Sequence, residues 1–140
     1  MTKKITYLSM LLLLSLSPVF AQKQNVIEKT GDIAKMTLAQ QSFYGGDYQK
    51  ALGIYKDILV DKPNDAAVIG HIAECYYAMN MIQDATANAE KAKSIDEKAF
   101  EETSLILGKI YFADGKLDEA LTEFNFYKAL VGSGKTAEES

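Results

Sequence analysis

The most restrictive feature of this chain is a sequence pattern that recurs about every 34 residues. Three stretches each place a large apolar residue and two polar residues before an alanine, at Ala51, Ala85 and Ala120. The first two alanines are 34 residues apart and the last two are 35 residues apart. A period of this length indicates repeat units that bury their apolar faces against one another. The sequence therefore predicts a stacked array instead of one closed core.

The match extends to both sides of each alanine. Thirteen positions earlier each unit has a large aliphatic residue followed by a small one, and five positions earlier it has a residue that tolerates a positive φ. Aligned in unit order, the matching residues are Leu38-Ala39, Ile72-Ala73 and Leu107-Gly108; Ser42, Tyr76 and Tyr111; Gly46, Asn80 and Gly115; and Tyr55, Ala89 and Phe124. Three units in register are far less easily produced by chance than one.

Each unit has the periodicity of two short helices. Between residues 66 and 79 the apolar residues fall three and four positions apart, which is typical of an amphipathic helix. Asp65 and Asp96 stand where helix N-caps are expected. Because the turns around Gly46 and Gly115 are short, the paired helices must be antiparallel. No stretch alternates as a strand does, so we predict an all-α fold.

The pattern resembles the tetratricopeptide repeat family, whose unit is a helix, a turn and a second antiparallel helix. The units are residues 32–65, 66–99 and 101–134, preceded by a capping extension at 22–31 and followed by a polar tail at 135–140. The third unit matches best, while the second has Ala89 where an aromatic residue is usual. The resemblance implies a right-handed α-solenoid with an inner groove.

Small residues are expected where the two helices of a pair cross closely. We expect Ala73 to face Ala85 and Gly108 to face Ala120, with larger side chains filling the space beside them. Leucine at Ala85 or Ala120 would overpack this contact at a cost of about 1–3 kcal/mol.

Residues 1–21 have the composition of a secretory signal peptide. Lys3 and Lys4 precede an apolar run from Ile5 to Leu16, and small residues precede a cleavage site before Gln22. The apolar run is short for a transmembrane helix, which needs about 20 residues. We therefore expect export, to the periplasm or to the vicinity of an outer membrane.

The carboxyl-terminal end is unusual for a repeat array. We expect the third helix pair to end near Val131, so that residues 132–134 and the polar tail at 135–140 follow it as a short polar segment. Such arrays usually end in a solvating helix. Either the exposed face of the third pair docks on something, or the chain belongs to a longer protein.

Chemical function has little support in the sequence. After residue 21 there are 13 lysines, no arginine and 19 acidic residues, a net charge of −6, which argues against nucleic-acid binding. Residues 129–136 resemble a phosphate-binding loop but lack the preceding strand. His71 is the only histidine and is expected on a helix surface or in the groove. Cys75 is the only cysteine and is expected in the core. We predict no enzymatic activity, cofactor, nucleotide or metal site.

The remaining function is protein binding, which the resemblance places on the first helix of each pair. The implied groove residues are Met36, Gln40, Phe43, Tyr44, Gly70, Glu74, Tyr77, Leu105, Lys109 and Phe112. Phe43, Tyr77 and Phe112 occupy the same position in the three units. They either form an aromatic ladder that grips a partner or pack mainly on their neighbours. The basic clamp with which some family members bind chaperone C-termini is missing, since Gly70, His71 and Glu74 occupy that region.

Two functional hypotheses follow. The first is an exported scaffold that binds another protein, resembling the repeat region of envelope proteins of the OmpA-like or type IX secretion type. The second is a structural module that associates with itself through its uncapped third pair.

Overall fold

A computed structural model describes the backbone of residues 17–138 and the side chains of residues 30–132. The chain divides into two compact units, residues 1–34 and residues 35–140. In the first unit the described backbone, from Ser17 onward, is helical. Most of the predicted signal peptide, residues 1–16, lies outside the described residues, and its cleavage stays a prediction. Among the described residues, no helix combines the length and the apolar character needed to cross a membrane.

The described residues form six α-helices and no strand, which confirms the all-α, tetratricopeptide-type prediction. The helices are α1 (Ser17–Tyr44), α2 (Tyr48–Asp61), α3 (Ala66–Ala78), α4 (Ile82–Ile95), α5 (Glu102–Ala113) and α6 (Leu117–Glu138). The short connections make α3 and α4 one hairpin and α5 and α6 the next, and α3 also contacts α2 and α5. The first helices of these two hairpins, α3 and α5, are therefore neighbours.

The three intrapair turns have the same hydrogen-bonded geometry. In the first, the amide of Gly46 donates to the carbonyl of Phe43 at 2.9 Å, and the amide of Asp47 donates to the carbonyl of Ser42 at 2.8 Å. Asn80 and Gly115 are at the centres of equivalent pairs of bonds. This Schellman arrangement requires a positive φ at the central residue, and the observed values are 82°, 60° and 74°. The predicted role of these three residues is confirmed.

Helix starts follow the predicted caps in one case and not in the other. The Asp65 carboxylate accepts a hydrogen bond from the Val68 amide at 3.1 Å and caps α3. Asp96 instead lies at the end of α4, and its carboxylate accepts from the Lys98 amide at 3.0 Å. The prediction that Asp96 caps the next helix was wrong, because a turn over residues 97–101 separates it from α5.

Small residues do lie at the helix crossings, but with other partners than predicted. Ala73 is buried with Ala89 and Leu107, while Ala85 is buried in a separate cluster with Ile106 and Ile110. A Cβ atom at Gly108 would meet the ring of Phe124 first, at 2.5 Å from Cε1 and 2.6 Å from Cδ1. Ala89 and Phe124 each lie one helical turn after the expected partner. The prediction had the right small residues and placed each partner on the second helix one turn too early.

The end of α6 also differs from the prediction. We expected the helix to stop near Val131, yet its backbone continues to Glu138. Glycine in a helix interior costs about 1 kcal/mol, which weakens a helix without ending it. The helix runs through residues 129–136, so this segment lacks the loop that a phosphate site needs.

Gly108→Ala is expected to lower the free energy of unfolding by about 1–3 kcal/mol, because the new methyl group overlaps the Phe124 ring. Urea denaturation followed by circular dichroism measures the change. Gly53→Ala is the matched control, since nothing lies near its Cβ position in α2, and it should stabilise the helix by up to about 1 kcal/mol. Adding Phe124→Leu should restore part of the loss at Gly108. Equal effects at both glycines would contradict this account.

Candidate functional site

The residues predicted to line a groove lie on α1, α3 and α5, the first helices of the three pairs. Met36, Gln40, Phe43 and Tyr44 lie on α1, then Gly70, Glu74 and Tyr77 on α3, and Leu105, Lys109 and Phe112 on α5. Their burial differs widely, so the set divides into residues that support the helices and residues that solvent reaches.

On α1 the two aromatic residues have different environments. Tyr44 is 83% exposed, whereas Phe43 and Met36 are half-buried against the core cluster that includes Ala39 and Tyr55. The Phe43 ring lies 5.7 Å from that of Tyr44 and 5.2 Å from that of Tyr48. Phe43 therefore supports Tyr44, and Tyr44 presents most of its ring to solvent.

On α3 the predicted groove residue Gly70 is covered. It is buried, and a Cβ atom there would lie 2.7 Å from Cδ1 of Phe100 and 2.7 Å from Oγ1 of Thr103. The Phe100 ring, from the turn before α5, fills the space that a partner would need. Gly70 thus permits the close approach of α3 and α5 and is not itself an accessible contact.

His71 belongs to the same packed region. Its ring is stacked on Tyr55, with centroids 5.0 Å apart and planes 3° apart, and lies 4.0 Å from the Phe100 centroid. Its Nδ1 is 3.3 Å from Oε2 of Glu74. We expected a surface or groove residue, but only 12% of the side chain is exposed. His71 is instead a packing residue that joins α2, α3 and the turn before α5.

Two carboxylates face this region from adjacent first helices. Glu74 lies on α3 and is partly exposed, and Glu102 is half-buried in the first turn of α5. Burial raises the pKa of Glu102 most, and the charges of Glu101 and Glu74 raise it further. Sequence reasoning missed Glu102. Its spacing from Leu105, three residues or nearly one turn, could have shown that it shares the predicted face.

At the other end of α3 and α5 the surface is open. A cleft of about 490 Å³ is lined by residues that include Tyr77, Ile82, Lys109 and Ile110. Tyr77 is half-buried against the cluster of Ala85, Ile106 and Ile110, and the Lys109 ammonium lies 5.9 Å from its ring centroid. Phe112, one turn beyond Lys109, is 63% exposed.

The aromatic ladder is thus not uniform. Phe43 and Tyr77 pack on their neighbours, while Phe112 exposes most of its ring to solvent. Tyr44, which follows Phe43 in the sequence, is exposed as well. Whether any of them holds a partner stays a prediction.

Cys75 is buried within the core cluster, as predicted. Burial, and then the charge of Glu74, raises the pKa of its thiol to about 12. Reactivity depends on the thiolate, so this thiol is unreactive near neutral pH. Among the described residues, no group of three or more His, Cys, Asp or Glu side chains could hold a metal ion.

Comparison with known proteins supports the repeat assignment. The profile of the tetratricopeptide repeat family matches residues 43–99, from the end of α1 to the turn after α4. This part of the chain is similar to the tetratricopeptide repeat family. Comparison with curated proteins gives no match.

Several tetratricopeptide repeat structures have the same fold. The second such domain of Spaghetti (RPAP3), bound to the HSP90 peptide SRMEEVD, is 20% identical, with a TM-score of 0.64 over 76% of this chain and 98% of that one. The Yersinia enterocolitica secretion translocator chaperone SycD is 18% identical, with a TM-score of 0.65 over 78% and 81%. A yeast Sti1 domain in complex with an Hsp70 peptide is 19% identical, with a TM-score of 0.63 over 77% and 88%.

Proposed function

We propose that this protein is an exported scaffold that binds a segment of another protein along its first helices. The observation that carries the proposal is the exposure of Tyr44 and Phe112, two large aromatic residues on first helices. Aromatic side chains at a surface supply much of the binding energy in protein interfaces. The cleft beside Tyr77 provides a concave place for an apolar side chain of the partner.

The comparisons support the general mode of binding. The RPAP3 and Sti1 structures contain bound HSP90 and Hsp70 peptides, and their fold matches that of this chain. The proposal involves no chemical step, cofactor or nucleic acid. Binding requires only that the surface of the first helices differ enough in chemistry from the rest of the protein surface to select one partner.

Replacing Tyr44 and Phe112 together by alanine is expected to weaken partner binding by about 2 kcal/mol or more, the size typical of interface hot spots. The fold should persist because both side chains are mostly exposed. Affinity is measured by calorimetry with the partner identified by crosslinking in the cell of origin. Val60→Ala with Ile95→Ala is the matched control, since both residues are exposed on second helices. Equal loss in both double variants, or none in either, would refute the assignment of the binding face.

Export is proposed from residues 1–21 and from the secretory pattern that they contain. The proposal places the protein in the periplasm or at an outer membrane, in the assembly of a cell-envelope complex. Amino-terminal sequencing of the protein from fractionated cells tests it, with Gln22 expected as the first residue. A cytosolic protein that begins at Met1 would refute export and leave the groove unaffected.

Self-association is the second candidate function. Leu117 and Leu121 lie one turn apart on α6 and are 61% and 59% exposed, which leaves an apolar strip on the last helix. Light scattering over a range of concentrations separates the two functions. A dimer that Leu117→Lys with Leu121→Lys abolishes would favour the structural module.

A further inference from the structure

Helix α5 lies on a face that α3 and α4 form together. Ala85 of α4 is buried in a cluster with Ile106 and Ile110, which are one turn apart on α5. Tyr77 of α3 and Ile82 of α4 pack against the same cluster. One side of a first helix therefore covers both helices of the preceding pair, and this internal contact shows what kind of element such a face binds.

The hairpin of α5 and α6 repeats this face in an uncovered form. The third unit follows the second at an offset of 35 residues, and the turns of the two units have the same hydrogen bonds. At this offset Tyr77 corresponds to Phe112, and Ile82 corresponds to Leu117. Tyr77 and Ile82 are half-buried. Their counterparts are 63% and 61% exposed, and in the described part of the chain no helix follows α6 to cover them.

The uncovered face also has larger apolar side chains than the covered one. Gly70 corresponds to Leu105, and Thr86 corresponds to Leu121. Gly70 is covered by Phe100, whereas Leu105 is half-buried and Leu121 is mostly exposed. A terminal repeat that faces water needs a polar outer surface, and contiguous exposed apolar residues mark interaction sites. The side chains of this face therefore indicate that another element covers it.

A second copy of the chain does not offer the helix that would repeat this contact. The first helix α1 has Thr37 and Gln41 at the positions that Ile106 and Ile110 occupy on α5. Both residues are polar and lie on the exposed side of α1. The occupant is therefore a helix of different sequence, supplied by a partner protein.

The last pair also determines which side chains the occupant needs. Leu107 of α5 is buried in a cluster with Ala89, but the last pair has Phe124 at the position of Ala89, and its ring lies over Gly108. A helix on the last pair therefore has room for aliphatic side chains at the two isoleucine positions of α5 and for a small side chain at the position of Leu107. We propose that the outer face of α5 and α6 binds an amphipathic helix of a partner protein, with leucine, isoleucine or valine at positions i and i+4 and a small residue at i+1. This inference goes beyond the proposed function, because α6 is a second helix and lies outside the proposed groove.

Selection from a phage-displayed library of short helical peptides, with the purified full chain as bait, tests the inference. Enriched peptides should have large aliphatic residues at i and i+4 and a small residue at i+1. Synthetic copies should bind about tenfold or more weakly to the Leu117→Ser, Leu121→Ser variant, because two leucine side chains are lost from the contact. The matched control is Val60→Ser with Ile95→Ser, which removes two exposed aliphatic residues from other second helices and should leave the affinity unchanged. The Tyr44→Ala variant, which is altered only in the groove, should bind the peptides normally.

Each result bears on one of the two proposals. A library that yields no helical peptide, or peptides that bind the Leu117→Ser, Leu121→Ser variant as well as the unaltered chain, would overturn this inference. A dimer that the same substitutions abolish and that the peptides do not dissociate would also overturn it, since the face would then hold a second copy. A groove partner whose affinity does not depend on Tyr44 would count against the proposed function and leave this inference intact.

Discussion

Tyr55→Ala is expected to lower the free energy of unfolding by about 3–5 kcal/mol, the range for removing a buried aromatic side chain. Tyr55 is 1% exposed, is stacked on His71, and lies in the core cluster with Ala39, Leu52 and Cys75. Its loss would leave a cavity where α1, α2 and α3 meet. Because small domains are stable by about 5–15 kcal/mol, a large fraction of the variant should be unfolded in mild denaturant.

Two variants separate packing from other effects. Tyr55→Phe retains the ring and its stacking on His71, so the loss should be a small fraction of that for alanine. Tyr44→Ala removes a tyrosine that is mostly exposed and should change stability little. Urea midpoints followed by circular dichroism give the three values. If Tyr55→Phe and Tyr55→Ala were equally destabilised, stacking and burial would not explain the role of Tyr55.

Alkaline pH is expected to destabilise the fold strongly. Burial, the largest cause, raises the pKa of the Cys75 thiol to about 12, and it also raises the pKa of Tyr55 above its usual range. Both groups are neutral when protonated. Above about pH 9 an unfolded chain ionises Cys75 while the folded chain keeps it protonated. The unfolded state then binds fewer protons, so stability falls as pH rises from the unfolded pKa toward the folded one.

The slope of this loss is measurable. Each group that ionises only on unfolding contributes about 1.4 kcal/mol per pH unit. Urea denaturation between pH 8 and pH 11 should show a free energy of unfolding that falls more steeply as pH rises. Cys75→Ala should reduce the slope of this fall by about 1.4 kcal/mol per pH unit, the contribution of one group. The comparison is of slopes, so a constant cost of the substitution does not affect it. Parallel curves for the two proteins would mean that the thiol ionises equally in both states.

Much of the fold could be predicted from the sequence because its determinants are local. The spacing of apolar residues predicted the helices. Gly46, Asn80 and Gly115 predicted the positions of the turns, since each has the positive φ that these turns require. Contacts between helices were harder. Which residue of α6 opposes Gly108 depends on the position of α6 along its axis relative to α5, and a period in the sequence does not determine that position.

The candidate site could be predicted less completely for the same reason. The resemblance indicated the first helices, but not that Phe100 covers Gly70 or that His71 is held between two rings. Phe100 comes from a turn, and no periodic pattern predicts where the side chain of a turn residue packs. Glu102 was missed because an acidic residue at a helix start already had an explanation in the helix dipole.

The position of α3 determines where this molecule should open first. It contacts α2, α4 and α5 and has seven buried residues between Ala66 and Cys75. Arrays of this type are held mainly by nearest-neighbour contacts, so local opening begins at the least surrounded helices and advances inward. Amide hydrogens in α3 are then the slowest to exchange with solvent, and a cut in α6 would leave them protected. We therefore expect the hairpin of α3 and α4 to be the last part of the described chain to unfold.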